Sequence, residues 1–316
     1  MRSLAARSNP RVEFEIELRE SLDDTSTAAD WTYLLSLKGE SSGKRRVLVD
    51  KEEVYGFGKC LLRRPDAEDE ADKERLTQTH LEQVNMNRKF REIPSFLEEI
   101  LYLHLVPQLL KYGRQMSPGD MESDPFGQQF LEEIASTTKR TRDSRLKRIE
   151  VILKKAIPHF KELRFVQDEV KGTPHLEMRY IHWRPRGAWQ REDQFSDGTL
   201  RMIALTWTLL ASNSLILIEE PELSLHTGIV KQIPAMILDA RRSRKTAGGQ
   251  ILVSTHSESL LSNNDIDAGF LILQPGEKGE STTIETPDED DVGALRAGMS
   301  PADILLPRTA TSIGKI

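Results

Sequence analysis

The sequence predicts an α/β protein in which an antiparallel β part comes first, a helical stretch follows and the remainder alternates helix and strand. Three observations carry that prediction. Residues 11–62 alternate apolar and polar side chains, the period-2 pattern of strands with one wet face. From about Arg64 to Phe160, apolar residues such as Phe96, Ile100, Leu103 and Leu110 recur at helical spacing. Beyond Phe160, short apolar runs that end in polar residues alternate with helical patterns, which suits a parallel sheet covered on both faces. With 316 residues, 38% of them hydrophobic, the chain can form about two domains, each with a buried core.

Taken in order, Val12–Leu18 and Trp31–Leu37 give the clearest strand patterns, and a turn at Gly39–Gly43 leads to Arg46–Val49. Three or four antiparallel strands are therefore predicted over residues 1–62. The charge-dense Arg64–Arg75 opens a helical insertion over 63–160, with a loop at Gly113–Gly127 and a basic run at Lys139–Arg148. Strand signal returns in Leu163–Val166 and Leu176–Trp183, a predicted hairpin around Lys171–Pro174. A helix at Gly198–Ala211, a strand at Leu215–Ile218, a helix at Gly228–Arg242 and strands at Gln250–Ser254 and Phe270–Leu273 complete a core segment over 161–273. In a tail over 274–316, the acidic patch Glu285–Asp291 is expected at the surface, and Ile304–Leu306 can dock a last turn. No internal repeat is present.

Composition excludes several classes. Lys+Arg 44 against Asp+Glu 50 gives a net charge of -6, so no global basic field draws the chain to nucleic acid, and any such surface must be local. Cys60 is the single cysteine, which rules out an internal disulfide or a thiolate zinc cluster made by this chain alone and fits a reducing cytoplasm. The most apolar stretches are Ile100–Leu110, broken by His104 and Pro107, and Leu215–Ile218; both fall short of the ~20 residues of a membrane helix. Met1–Pro10 carries Arg2 and Arg7 without the apolar run of a secretory signal. A soluble, cytoplasmic protein is expected.

Three segments carry chemistry. The apolar strand Leu215–Ile218 runs into Glu219, Glu220, Pro221 and Glu222, and parallel sheets place ligands past the carboxyl ends of their strands. One carboxylate there can hold Mg²⁺ while its neighbour polarises an attacking water, Glu219 taking the metal and Glu220 the general-base role. The plain alternative is a strand that ends in a solvated acidic turn. Next, Gln194–Leu200 opens a helix whose apolar face holds Leu200, Ile203 and Trp207. Ser196 or Asp197 can cap it, and Gly198 allows an anion to approach the free N–H groups of the helix start; a simple cap and turn explains the same residues. Third, Gln250–Ser254 ends in Thr255 and His256, which sets an imidazole beside the same sheet edge, where it can contact a γ-phosphate or be merely structural.

In order and spacing, these three segments resemble the second half of an ABC-type ATPase head, in the branch that holds RecF, SMC and the OLD-like "AAA family" ATPases of prokaryotes. The resemblance identifies the Ser196–Gly198 helix start with the signature motif, the Glu219–Glu220 strand with Walker B, Pro221–His226 with the D-loop and Thr255–His256 with the switch histidine. It implies that Ser196, Gly198 and Thr199, with Asp197 between them, contact ATP held by a partner subunit. Ser224 then has the D-loop role, Glu219 holds Mg²⁺, Glu220 is the base and His256 meets the γ-phosphate. The first Walker B acid, commonly Asp in transporters, is Glu219 here, as in OLD-like members.

The loop G-x-x-x-x-G-K-[ST], which the family uses to hold the triphosphate, is absent from the sequence. Gly39–Arg45 is one residue short between its glycines and ends in Arg45 where Ser or Thr should meet Mg²⁺. It also lies between two predicted antiparallel strands, so a hairpin turn is predicted there. The implied fold is a P-loop NTPase-like head with an antiparallel β-subdomain and a helical insertion, its N-terminal strand and P-loop missing, because the gene is read from a late start, the gene is truncated, or the P-loop comes from another polypeptide.

Two functional readings follow from the resemblance. One is an ATP-hydrolysing head that works as a nucleotide-driven dimer switch, as a homodimer, in a prokaryotic defence or DNA-maintenance system with a nuclease or toxin effector. The other is a non-catalytic partner module. DNA could bind through Lys139–Arg148 or Arg241–Lys245, or stack on His182–Trp189, although such runs also form solvated faces. No nuclease signature follows His256.

Overall fold

The computed structural model describes residues 10–20, 28–40, 46–116, 124–181, 189–242, 249–263, 269–276 and 281–310. The chain divides into two compact units, residues 1–99 with 275–283, and residues 100–274 with 284–316.

In the first unit, β1 (Arg11–Leu18), β2 (Trp31–Gly39), β3 (Val47–Gly56) and β4 (Lys59–Arg64) form a four-stranded antiparallel sheet in that order. Ile16 pairs with Tyr33 and Tyr33 with Val54, which gathers the apolar positions on one face. Trp31, Tyr33 and Val54 pack there against Phe90 and Ile93, while Glu13, Glu15 and Glu17 point to solvent as the alternation predicted. The β3–β4 loop is Phe57-Gly58, with φ 49° and 76°, the paired left-handed geometry of a type I′ hairpin turn. Gly39 pairs with Val47 across β2 and β3, and the Glu40 amide donates to the Arg46 carbonyl at 2.9 Å. Gly39–Arg45 thus joins two antiparallel strands, as predicted; residues 41–45 lie outside the described ones.

The stretch 65–99 is less helical than expected. It holds α1 (Ala67–Ala71), α2 (Glu92–Glu98) and two 3₁₀ turns, Lys73–Thr77 and Asn87–Lys89. The reason is local competition. Asp66 accepts from the Asp69 amide and Asp72 from the Glu74 amide, so short acidic side chains satisfy backbone donors and stop each helix after a turn or so.

The second unit centres on a parallel sheet of β5 (Leu101–Leu103), β9 (Ile216–Glu219) and β10 (Ile251–Ser254), with β9 in the middle. Around it lie α3 (Pro107–Met116), α4 (Phe130–Ser136), α5 (Lys139–Ala156) and α6 (Asp197–Ala211), with an antiparallel sheet of β6 (Phe160–Gln167), β7 (Pro174–Tyr180) and β8 (Gln190–Arg191). The β6–β7 pair is the predicted hairpin. Helix α6 is apolar nearly all round and is buried accordingly, with Leu200, Ile203, Trp207 and Leu209 at 0% exposure. Each such side chain contributes about 1.5–3 kcal/mol relative to exposure.

Three expectations are corrected here. The helical spacing through Phe96, Ile100, Leu103 and Leu110 breaks at β5, because a short strand with apolar side chains on both faces matches a helical pattern over one turn; Pro107 then starts α3. The single helix expected at Gly228–Arg242 is two, α7 (Thr227–Val230) and α8 (Ile233–Arg242). Pro234 fits the first turn of α8, but without an N–H it cannot continue α7. The strand expected at Phe270–Leu273 runs as β11 (Ile272–Pro275) and pairs with β12 (Thr282–Glu285), instead of joining the parallel sheet. The Gly276 amide donates to the Ser281 carbonyl at 2.7 Å, which turns the chain back on itself.

Coverage of the parallel sheet is also uneven among the described residues. Ile216 and Ile218 are buried on one face, whereas Tyr102 and Leu252, both paired with Leu217 on the other face, are 46% and 50% exposed. In the tail, the acidic patch becomes the start of α9 (Glu289–Arg296), capped by Asp288, and α10 (Pro301–Ala310) buries Ala302 and Leu305. Arg308 binds Asp288 and Asp291, each at 2.8 Å.

Candidate functional site

Parallel register decides which residues meet. Leu103 pairs with Ile218 and Ile218 with Val253, so the residues that follow each strand emerge along one edge: His104 after β5, Glu220 after β9, and Thr255 and His256 after β10. Glu219 pairs with Ser254, and the Glu220 amide extends the ladder with a 3.0 Å bond to the Ser254 carbonyl. The strand pattern and the loss of apolar residues after Ile218 and Val253 fold the sequence this way.

At that edge His256 Nδ1 lies 3.0 Å from Glu220 Oε1, and His104 Nδ1 lies 3.5 Å from Glu219 Oε2. Tyr102 donates its hydroxyl to the same Glu219 oxygen, and this bond holds the phenol above its ordinary pKa because it favours the protonated form. His256 is 79% exposed, so beyond Glu220 it faces solvent, where a ligand can reach it. Glu220 has φ 43° and Ser224 φ 65°, left-handed values that cost a non-glycine residue roughly 1–3 kcal/mol each and tend to cluster at functional sites.

The helix start behaves as its residues suggest. Ser196 is the N-cap of α6, its Oγ accepting from the Thr199 amide at 3.1 Å and lying 2.7 Å from Thr199 Oγ1. Asp197 is tied to Lys111 of α3 at 2.8 Å. Gly198 is pressed against the turn after β9: a Cβ there would lie 2.9 Å from Leu225 Cδ2 and 3.0 Å from the Ser224 carbonyl. The structure therefore brings Ser196–Thr199 against Ser224 and sets Glu219, Glu220 and His256 along the adjoining strand ends. Gly198→Val is expected to destabilise the protein by ~1–3 kcal/mol, since the added branches meet a backbone carbonyl that cannot move alone. Chemical denaturation checks this, and an unchanged midpoint would contradict the close packing.

Sequence reasoning missed Tyr102, His104, Arg201 and Glu222. The break that His104 and Pro107 make in an apolar run was the available signal for β5. Arg201 in α6 is 5% exposed; its Nη1 donates to the Leu223 carbonyl at 2.6 Å and its Nη2 to the Leu105 carbonyl. A cleft of about 10 Å³ between these groups is lined by Leu103, Arg201, Ile218, Glu219 and Glu220, room for about one water. A nucleotide would have to lie on the open side of the edge.

The basic run proves less available than its sequence suggests. Arg142 lies over the Phe165 ring at 4.0 Å and Arg145 over Trp207 at 5.1 Å, which leaves Lys139, Arg140, Lys147 and Arg148 as the exposed members of the run. Trp189 is already stacked by Arg164 at 3.8 Å and Arg179 at 4.8 Å. Residues 182–188 and 243–245, the rest of the two other candidate stretches apart from Arg241 and Arg242, lie outside the described ones.

Comparison with curated proteins returns no match. Among solved structures the chain is similar to an Smc head bound to the C-winged helix domain of ScpA, at 13% identity over 84% of this chain and 76% of that one, with TM-score 0.43. It is also similar to the SMC head domain from Thermotoga maritima, at 11% identity over 82% and 75%, with TM-score 0.39. The model of the family described as "AAA domain, putative AbiEii toxin, Type IV TA system" matches residues 56–262, well over half of the sequence, and the chain belongs to that AAA-domain family.

Proposed function

We propose that the protein is the nucleotide-hydrolysing head of an ATP-driven dimer switch. The observation that carries this reading is the strand-end constellation of Glu219, Glu220 and His256, in which Glu220 is held in a left-handed conformation 3.0 Å from the imidazole. Glu220 would orient and deprotonate the attacking water, and His256, open to solvent, would meet the terminal phosphate. Glu219 offers a carboxylate oxygen, and such hard donors fit Mg²⁺, which when bound neutralises charge on the triphosphate. Ser196, Asp197, Gly198, Thr199 and Ser224 would form the second half of the site, presented to nucleotide on a partner protomer. The single cysteine supports a cytoplasmic setting; among the described residues, no helix is long and apolar enough to cross a membrane. The family's description supports a place in a toxin–antitoxin system; an effector toxin or nuclease would then be the partner. For DNA, the groups in place are Lys139, Arg140, Lys147 and Arg148.

A second reading is favoured by a specific observation. Near the edge, Lys111 is committed to Asp197, and Arg201 to two carbonyls, so both of these cations are already engaged. With both cations engaged, the edge is poorly equipped to hold a whole triphosphate by itself. The exposed Tyr102 and Leu252 face of the sheet adjoins it. In this reading the phosphate-binding loop comes from another polypeptide. Light scattering of Glu220→Gln with and without Mg-ATP separates the two: a nucleotide-dependent doubling of mass is expected for the switch, and a mass indifferent to ATP would contradict it.

A further inference from the structure

We propose that Arg201 and Glu222 are positioning residues of this site, which clamp the turn after Glu220 between helix α6 and strands β5 and β10 and so fix where Glu220 and His256 point. The inference rests on the reading of that edge as the hydrolytic site.

The sequence makes Arg201 anomalous. It occupies a buried position in a helix whose neighbours Leu200, Met202 and Leu205 are all apolar, where a hydrophobic side chain would pack at less cost. Burial lowers its pKa, with Glu222, Asp197 and Glu220 the acids that oppose the shift, yet a guanidinium stays protonated. What the charge provides is a fork: Nη1 reaches the Leu223 carbonyl in the turn, and Nη2 reaches the Leu105 carbonyl just past β5. Those two carbonyls belong to segments more than a hundred residues apart in sequence, and α6 holds both.

Glu222 closes the other side. Its Oε1 accepts from Thr255 Oγ1 at 2.5 Å, and Thr255 Oγ1 in turn accepts from the Ser257 amide at 3.0 Å, so the turn is bonded to the segment that carries His256. Its Oε2 is buried without a hydrogen-bond partner. The turn contains both left-handed residues, Glu220 and Ser224, and strained backbone persists only where its surroundings over-determine it. Arg201 on Leu223, Glu222 on Thr255 and Gly198 against Ser224 supply that restraint from three directions. A displacement of the α6 start is thereby passed to Glu220 through one turn.

The test is hydrogen exchange on the full chain together with phosphate release. Arg201→Ala should raise amide exchange at Leu223 and Leu225 by about tenfold while the interior of α6 stays protected as in the wild type. It should also lower kcat by about tenfold with little change in KM. Arg201→Lys, which reaches one carbonyl but not both, should recover part of each effect. Thr255→Val, which removes the bond to Glu222 together with the acceptor for the Ser257 amide but leaves Arg201 in place, should loosen the same turn and decides the matter if Arg201→Ala does not fold. Wild-type exchange at Leu223 and Leu225 in these variants would overturn the proposal whatever the turnover. A wild-type chain that, even with the phosphate-binding loop supplied, shows no ATP turnover would instead count against the hydrolytic reading and leave the exchange result to judge the clamp.

Discussion

Arg64→Ala is expected to lower the stability of the antiparallel unit by about 3–5 kcal/mol, because it strands two buried carboxylates. Arg64, Glu52 and Asp69 have fully buried side chains. The guanidinium donates to Asp69 through Nε at 2.9 Å and Nη2 at 2.7 Å, to Glu52 through Nη1 at 3.0 Å, and to the carbonyls of Gln78 and Arg75. Glu52 also accepts the His80 and Leu81 amides and the Tyr33 hydroxyl. One side chain thus ties β3 and β4 to the polar stretch that follows them, a stretch too acidic and too short in its helices to be held by apolar burial alone. Urea unfolding checks the loss, and a change below about 1 kcal/mol would show that the carboxylates find water instead.

The same cluster sets a pH dependence. Hydrogen bonding to Arg64 lowers the Asp69 pKa from 3.8 to about 2, so its stabilisation is present above the unfolded value and is lost as pH falls through about 2. Burial holds His80 below 6.5, so the folded state binds fewer protons there as well, and acid costs further stability below that value. Both groups make the unit less stable in acid, and Arg64→Ala should remove the Asp69 share.

Strands β1 and β2 were legible because a sheet with one wet face writes its alternation directly into the sequence. Strands β9 and β10 were legible because apolar runs stop abruptly after Ile218 and Val253, and those stops also point to Glu220 and His256. Strand β5 was not, since Leu101–Leu103 offers three residues, too few to separate period 2 from period 3.6. With β5 unread, Tyr102 and His104 could not be placed beside Glu219, which lies more than a hundred residues away in sequence. Arg201 was hidden for another reason: an arginine in a helix reads as solvated, and only the fold shows it enclosed between two carbonyls. The break between α7 and α8 was written in Pro234, yet the apolar spacing continued across it.

Glu220→Gln is expected to have the largest effect on function. The substitution keeps the size of the side chain and an acceptor for His256 but removes the basic carboxylate, so a general base in hydrolysis should lose roughly 10²–10⁴ in kcat while nucleotide affinity is retained. Glu219→Gln should instead weaken the dependence on Mg²⁺, because that residue is assigned to the metal. The measurement that bears most directly on the account is therefore phosphate release from Mg-ATP by the chain supplied with the G-x-x-x-x-G-K-[ST] loop that its sequence lacks, wild type beside Glu220→Gln, with nucleotide binding measured on both. With that loop supplied, the account predicts turnover in the wild type, its loss in Glu220→Gln and equal binding in the two; turnover in Glu220→Gln at the wild-type rate would contradict it.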